Sequence, residues 1–365
     1  MLSLINLDSA GLPQPSWQRI EVKVDLLPSK SPRQNQLSER LGLNLGSLER
    51  LLYRSCSICF AFSGSNGTHQ CLVTDAARIN IHEAKEAANH RLLHLPAARA
   101  ITSQLILGLQ FIHSQGIVHG DLYLANILLR FPLDMQDVTL EQLHARTGEP
   151  AKEYVVREDG TPLDPGVPSE VVVPVWLGLS SDEVFLADSA IVIADFGEAF
   201  DPRVTRRFSA HTPLSPPESH FAEPGESDDH LSFPGDIPPF EAFPITLDRV
   251  TIEHVEMLGR LPDRWWSKWE ERRNRFDEDG HQNVKETLRQ WYSNSARDWT
   301  QRFMEFIQHP RERMRFDTFS TEDENAFCDM MKSMLVLEPR KRATIEEVVG
   351  YGVDAKMGPA SSAEM

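Results

Sequence analysis

The 365-residue sequence predicts an α+β protein of two unequal lobes, a small mixed one followed by a mainly helical one. Three observations carry this. Apolar runs at 55–62 and 70–74 flank Gly64-Ser65-Asn66-Gly67, the pattern of a β-hairpin. From Pro96 onward Ile101, Leu105, Gly108, Leu109 and Ile112 share one helical face, and Gly116 supplies the stop. Amphipathic segments then recur at 247–259, 264–276, 284–308, 322–336 and 344–351.

The remaining elements follow in order. Residues 1–33 are punctuated by Pro and Ser and hold one alternating piece, Ile20-Glu21-Val22-Lys23-Val24, that reads as a strand. Leucines 37, 41, 45, 48 and 52 keep a helical spacing that Gly42 and Gly46 weaken. These define a first lobe over 1–95 and a second over 96–352, with a tail at 353–365 expected to be disordered. An insertion at about 131–183 is rich in Pro, Gly, Asp and Glu, and helical at best near 137–146. Strand-like runs follow at Val171–Leu177, Val184–Leu186 and Ile191–Ala194.

With 41% apolar and 25% charged residues the composition is that of an ordinary globular protein. A formal net charge of −17 argues against direct nucleic-acid binding, which needs a basic footprint, and suits basic protein partners. The four cysteines are too few for a disulfide framework, and the lone Cys56-x-x-Cys59 lacks the second ligand pair of a zinc site. The N-terminus has neither the basic region nor the apolar core of a signal peptide, and no stretch is expected to reach the roughly eighteen apolar residues of a membrane span. A monomer in the cytoplasm or nucleus is therefore expected, with the Asn66-Gly67-Thr68 sequon unglycosylated and no membrane partner.

The chemistry centres on His119-Gly120-Asp121-Leu122-Tyr123-Leu124-Ala125-Asn126, a polar loop following an apolar helix and a short buried-type run. Asp121 and Asn126 can turn into one cavity from such a loop. Asp195 stands at the exit of an apolar strand, in Ala194-Asp195-Phe196-Gly197. Two carboxylates and an amide converging on one point offer the hard oxygen ligands that Mg²⁺ takes alongside phosphates.

This loop and the following Asp-Phe-Gly resemble the catalytic and metal-binding loops of eukaryotic protein kinases. The resemblance implies a bilobal kinase-like fold and ATP with Mg²⁺ as cofactors. Asp121 would accept the proton of a substrate hydroxyl, while Asn126 and Asp195 would hold the metal on the ATP phosphates. Lys23 would be the nucleotide-binding lysine and Glu39 its helix partner. Pro216-Pro217-Glu218 and Glu338-Pro339-Arg340-Lys341-Arg342-Ala343-Thr344 look like two further family motifs, in which Glu218 and Arg342 would form a buried ion pair. The insertion, the Gly-Ser-Asn-Gly hairpin and Leu261-Pro262-Asp263-Arg264-Trp265-Trp266 are similar to fungal kinases related to the SR-protein kinases. That similarity spans roughly 55–352 and implies phosphorylation of serines or threonines, in Arg/Ser-rich proteins.

The sequence also departs from the family. Residues 1–19 contain only Gly11, so the glycine-rich nucleotide loop is absent. Gly235-Asp236-Ile237 runs into Pro238-Pro239, which no helix interior accepts. Tyr123 stands where protein-serine kinases place a lysine, and a phenol supplies no cation. Gly120 replaces the arginine that holds a phosphorylated segment in relatives, so phosphorylation of Thr205, Ser209 or Thr212 is expected to be dispensable. Two alternatives stay open: a kinase-derived binding module without phosphotransfer, and a small-molecule kinase of the aminoglycoside or choline type. The tryptophans 265, 266, 269 and 291 are expected to pack helices rather than to stack on bases.

Overall fold

The computed structural model describes residues 21–23, 56–64, 67–74, 76–132, 138–163, 167–203, 217–221, 246–283 and 298–354. The expected helix at 34–54 with Glu39, the segments 1–19, 204–216 and 235–244, Trp291 and the tail beyond 354 lie outside these described residues.

The first sheet is antiparallel, with strands β1 (Glu21–Lys23), β2 (Cys56–Gly64) and β3 (Gly67–Thr74) in the order β1-β3-β2. The expected hairpin is present: Gly64 pairs with Gly67, and the register runs back to Cys56 opposite Thr74 with a bulge between Cys56 and Ile58. Lys23 lies opposite Leu72 on β3.

Strand β4 (Ala77–Asn80) leads into helix α1 (Ile81–Ala87), whose start is set by Asn80: its Oδ1 accepts the Glu83 N–H at 2.7 Å. Helix α2 (Leu95–Ser114) has Pro96 in its first turn. All five residues expected on its inner face are buried, and Gly116 follows at φ +69°. By length and apolarity α2 could cross a bilayer, which the sequence reading did not anticipate. Its apolar face instead belongs to the core.

Strand β5 (Ile127–Arg130) comes next, then helix α3 (Leu140–Thr147), opened by a Thr139/Gln142 capping box. Strands β6 (Lys152–Tyr154) and β7 (Glu170–Val172) pair with each other inside the insertion. The expected strand Val171–Leu177 is cut short: β7 ends at Val172, with the Val173 N–H still donating to the Ala151 carbonyl at 2.8 Å. Val184–Leu186 is not a strand either. It joins two 3₁₀ turns, Ser181–Glu183 and Leu186–Asp188, the first opened by a Ser180/Glu183 capping box. Val184 is buried all the same, so its apolarity reported burial rather than strand.

Strand β8 (Ile191–Ile193) completes the second sheet, in the antiparallel order β4-β5-β8. The Gln104 amide of α2 serves the outer side of β8: Nε2 donates to the Ser189 carbonyl at 2.9 Å, and Oε1 accepts the Ile191 N–H at 3.2 Å.

Helices then dominate: α4 (Pro217–Phe221), α5 (Leu247–Leu258), α6 (Asp263–Trp266), α7 (Arg272–Arg275), α8 (Trp299–Phe303), α9 (His309–Met314), α10 (Thr321–Met334) and α11 (Ile345–Asp354). The helix expected over 264–276 is two short helices, and 304–308 is a π turn joining α8 to α9. One apolar core gathers α2, β5, β8, α10 and α11. A second packs Ile252, Val255, Leu261, Trp265, Trp266, Trp269, Phe276 and Leu337. The fold is thus a mixed one compatible with α+β, with every named strand pair antiparallel among the described residues.

Candidate active site

The polar loop leaves the core at Ile117 and re-enters it at Ile127, both fully buried. Between these points the backbone is held by a buried imidazole. His119 is 2% exposed, its Nδ1 accepts the Asp121 N–H at 3.4 Å, and its Nε2 lies 3.0 Å from the Ala194 carbonyl. A carbonyl only accepts, so Nε2 carries the proton and Nδ1 does not. Burial pushes the His119 pKa down, against the Ala194 carbonyl and the Asp195 charge, so the ring holds this tautomer as a neutral group. Its face meets Phe196, ring centroids 4.7 Å apart.

Hydrogen bonds link Asp121 and Asn126 to each other and to the backbone of Ala194, the residue before Asp195. Asn126 Nδ2 donates to the Asp121 carbonyl at 2.7 Å, and the Asn126 carbonyl accepts the Ala194 N–H at 2.8 Å. With its NH₂ so engaged, Oδ1 is the atom Asn126 would present to a cation. Asp195 takes the left-handed conformation, φ 61° and ψ 66°, and its Oδ1 accepts the Gly197 N–H at 3.3 Å, which opens a 3₁₀ turn through Glu198. An amide oxygen and a carboxylate form a hard donor set suited to Mg²⁺.

Tyr123 lies in the field of both carboxylates. Desolvation first, then Asp121 and Asp195, raise its pKa, so at neutral pH it is an uncharged O–H. Lys23 stands on β1, and its side chain lies outside the described residues.

Two features escaped sequence reading. One is the His119 bridge, which no spacing rule signals. The other is the approach at Gly120, where φ is +81° and a Cβ would stand 2.5 Å from the Glu198 carbonyl oxygen. Between these loops Val118 and Phe200 exchange both backbone hydrogen bonds, at 2.9 and 3.0 Å.

Away from the loop, Glu218 and Arg342 form the expected pair, fork to fork, with side chains 1% and 7% exposed. Arg342 Nε also donates to the Val336 carbonyl at 2.7 Å. Beside it His254 is wholly buried, and desolvation, His220 and Arg342 together lower its pKa to about 3. A second buried cluster was not foreseen: Arg302 reaches Glu253 at 2.8 Å and Glu256 at 3.7 Å. Asp277, Asp279 and His281 also stand close enough to share a cation, but Asp277 Oδ1 already accepts the N–H groups of Asp279 and His281 in an exposed turn.

Comparison with known proteins gives partial matches. A segment of 71 residues, 19% of this chain, is 31% identical to the serine/threonine-protein kinase SRPK of Physarum polycephalum. A segment of 87 residues, 24% of this chain, is 29% identical to the serine/threonine-protein kinase spk-1 of Caenorhabditis briggsae. The matched segments cover 17% and 8% of those relatives. No family model matches the chain.

Proposed function

We propose that the chain is a protein serine/threonine kinase that moves the γ-phosphoryl group of ATP onto a Ser or Thr hydroxyl, with basic Arg/Ser-rich proteins as the substrate class. The observation that carries this is the neutral His119 bridge, which ties the backbone of Asp121 to that of Ala194, next to Asp195.

Asp121 takes the hydroxyl proton as the substrate oxygen attacks phosphorus and the ADP oxygen departs. Its backbone is pinned on both sides, N–H to His119 and C=O to Asn126, by groups that stay uncharged at neutral pH. These two anchors fix where the carboxylate stands before substrate arrives. Asn126 and Asp195 would hold Mg²⁺, which would neutralise phosphate charge when bound. Lys23 is assigned to the nucleotide, with 1–95 as the smaller lobe and 96–352 as the larger. A monomer in the cytoplasm or nucleus completes the proposal.

A kinase-derived binding module is the second reading, favoured by Tyr123, which supplies a neutral phenol where a cation would assist transfer. The buried Glu218–Arg342 pair speaks for a protein rather than a small-molecule substrate, since the resemblance places that pair under the peptide-binding segment. Purified full chain with millimolar ATP and Mg²⁺ separates these readings. A rise in Tm that Asp195→Asn abolishes, with phosphate transferred to an Arg/Ser peptide, is the expected result. No shift and no transfer would overturn the kinase reading.

A further inference from the structure

Inside the insertion, the ladder of β6 and β7 runs beyond the two strands at both ends. The Ala151 carbonyl accepts the Val173 N–H at 2.8 Å, and the Val155 N–H donates to the Ser169 carbonyl at 2.9 Å. The odd-numbered residues from 151 to 155 therefore turn their backbone groups toward β7. Lys152, Tyr154 and Val156 turn theirs outward, because the two kinds of pair alternate in an antiparallel ladder. This outer edge faces solvent, with the Tyr154 side 80% and Val156 79% exposed. A two-stranded hairpin is marginal by itself, and an outer edge of this kind accepts a further strand.

The residue order along the edge says which strand fits it. Lys152-Glu153-Tyr154-Val155-Val156-Arg157-Glu158 complements its own reverse. Laid antiparallel to a second copy about Val155, it sets Tyr154 opposite Val156, Glu153 opposite Arg157 and Lys152 opposite Glu158. The outward N–H and C=O of Tyr154 then meet those of Val156, as an antiparallel ladder requires. Centring on Tyr154 instead would oppose Arg157 to Ala151, and centring on Val156 would oppose Glu153 to Asp159, two like charges. Side chains alternate, so Tyr154 and Val156 of both copies share one face as aromatic and β-branched cross-strand pairs. On the other face Val155 meets Val155 between two Glu153–Arg157 pairs. Rival contacts within the chain are exposed: Lys152 reaches Glu170 at 3.0 Å, and Arg157 lies 3.6 Å from Asp159.

We propose that the β6 edge is a self-association surface whose partner is a second copy of this chain, joined about Val155 into a four-stranded sheet of order β7-β6-β6-β7. Seven residues a side make a small contact beside the roughly 20–30 of a stable interface, and two chains of formal charge −17 repel overall. The monomer is thus the dilute species, and the pair forms where the chain is concentrated. None of this draws on the kinase reading.

Sedimentation velocity on the full chain, from about 1 to 200 μM, tests it. Wild type should rise toward twice the monomer mass across that range. Glu153→Lys alone and Arg157→Glu alone each create two like-charge pairs, and should weaken association on the order of tenfold or more. The double variant should regain it. An equimolar mixture of the two single variants should associate as wild type does, because each chain then supplies the sign the other lacks. Amide hydrogen exchange at Tyr154 and Val156 should slow with concentration in wild type and stay fast in either single variant.

A wild type that stays monomeric throughout would overturn the proposal. So would single variants that associate as well as wild type, or a mixture no better than its components. A dimer in which the Tyr154 and Val156 amides still exchange fast would mean another surface, and would overturn it equally.

Discussion

The guanidinium of Arg342 meets the carboxylate of Glu218 from 124 residues away in the chain, and both are shut off from solvent. Two charges so placed have surrendered their hydration, and each is the other's principal compensation. Removing one side leaves an uncompensated buried charge. Arg342→Ala or Glu218→Ala should therefore lose about 3–5 kcal/mol in urea unfolding. Arg342→Lys should recover only part of it, since an ammonium cannot reproduce the planar fork. A loss under about 1 kcal/mol would place the pair among exposed, weak ones.

His254 makes the same region acid-sensitive. Burial, His220 and Arg342 hold its pKa at about 3 in the folded chain, so it is neutral there while the unfolded chain takes up a proton near the ordinary value of 6.5. The unfolded state thus binds more protons between those two values, and stability must fall as pH falls through that window. The slope approaches about 1.4 kcal/mol per pH unit for one such group. His254→Gln should flatten the loss between neutrality and mild acid. Urea midpoints that fall just as steeply with pH in the variant would count against this assignment.

Trp265 bears on what the tryptophans do. It is fully buried, lies face to face with Phe221 at 5.9 Å, and has the Arg264 guanidinium 4.7 Å from its ring. A ring so enclosed has no face for a nucleic-acid base. Trp265→Ala should cost about 3–5 kcal/mol of stability through the cavity it leaves. Thermal and urea unfolding of the variant measure it.

At Tyr123 a substitution should improve the protein. The phenol stands in the field of Asp121 and Asp195 and carries no charge at neutral pH. Under the proposed kinase function, Tyr123→Lys would put a cation where negative charge moves during transfer, and should raise kcat on the order of tenfold. Steady-state kinetics on an Arg/Ser peptide decide it; equal or lower turnover would mean that no cation is wanted there.

The legible parts of the fold were those with local causes. The inner face of α2 could be read residue by residue because helical spacing and burial coincide there, with Gly116 marking its end. The Gly64–Gly67 hairpin was legible from turn chemistry between two apolar runs. Asp121, Asn126 and Asp195 were proposed from their motifs, and hydrogen bonds join the two loops that carry them. What could not be read depends on neighbours distant in sequence. His119 was one letter of a motif until Ala194 stood opposite its Nε2, 75 residues on. Nothing in the sequence announces that Arg302 will meet Glu253, or that Gly120 will press on Glu198. Val184 misled for a related reason: a fully buried valine looks alike in a strand and in a turn.

The Gln104 amide has a bearing on colloidal behaviour. β8 is the outer strand of its sheet, and an outer strand normally offers a row of donors and acceptors to any extended chain that drifts past. Here a helix side chain takes the place such an intruder would occupy, engaging the Ser189 carbonyl and the Ile191 N–H. Glutamine does this well because its amide has the same donor and acceptor as a peptide group. One donor and one acceptor along this border are thus engaged from within, which leaves a drifting extended chain fewer groups to pair with.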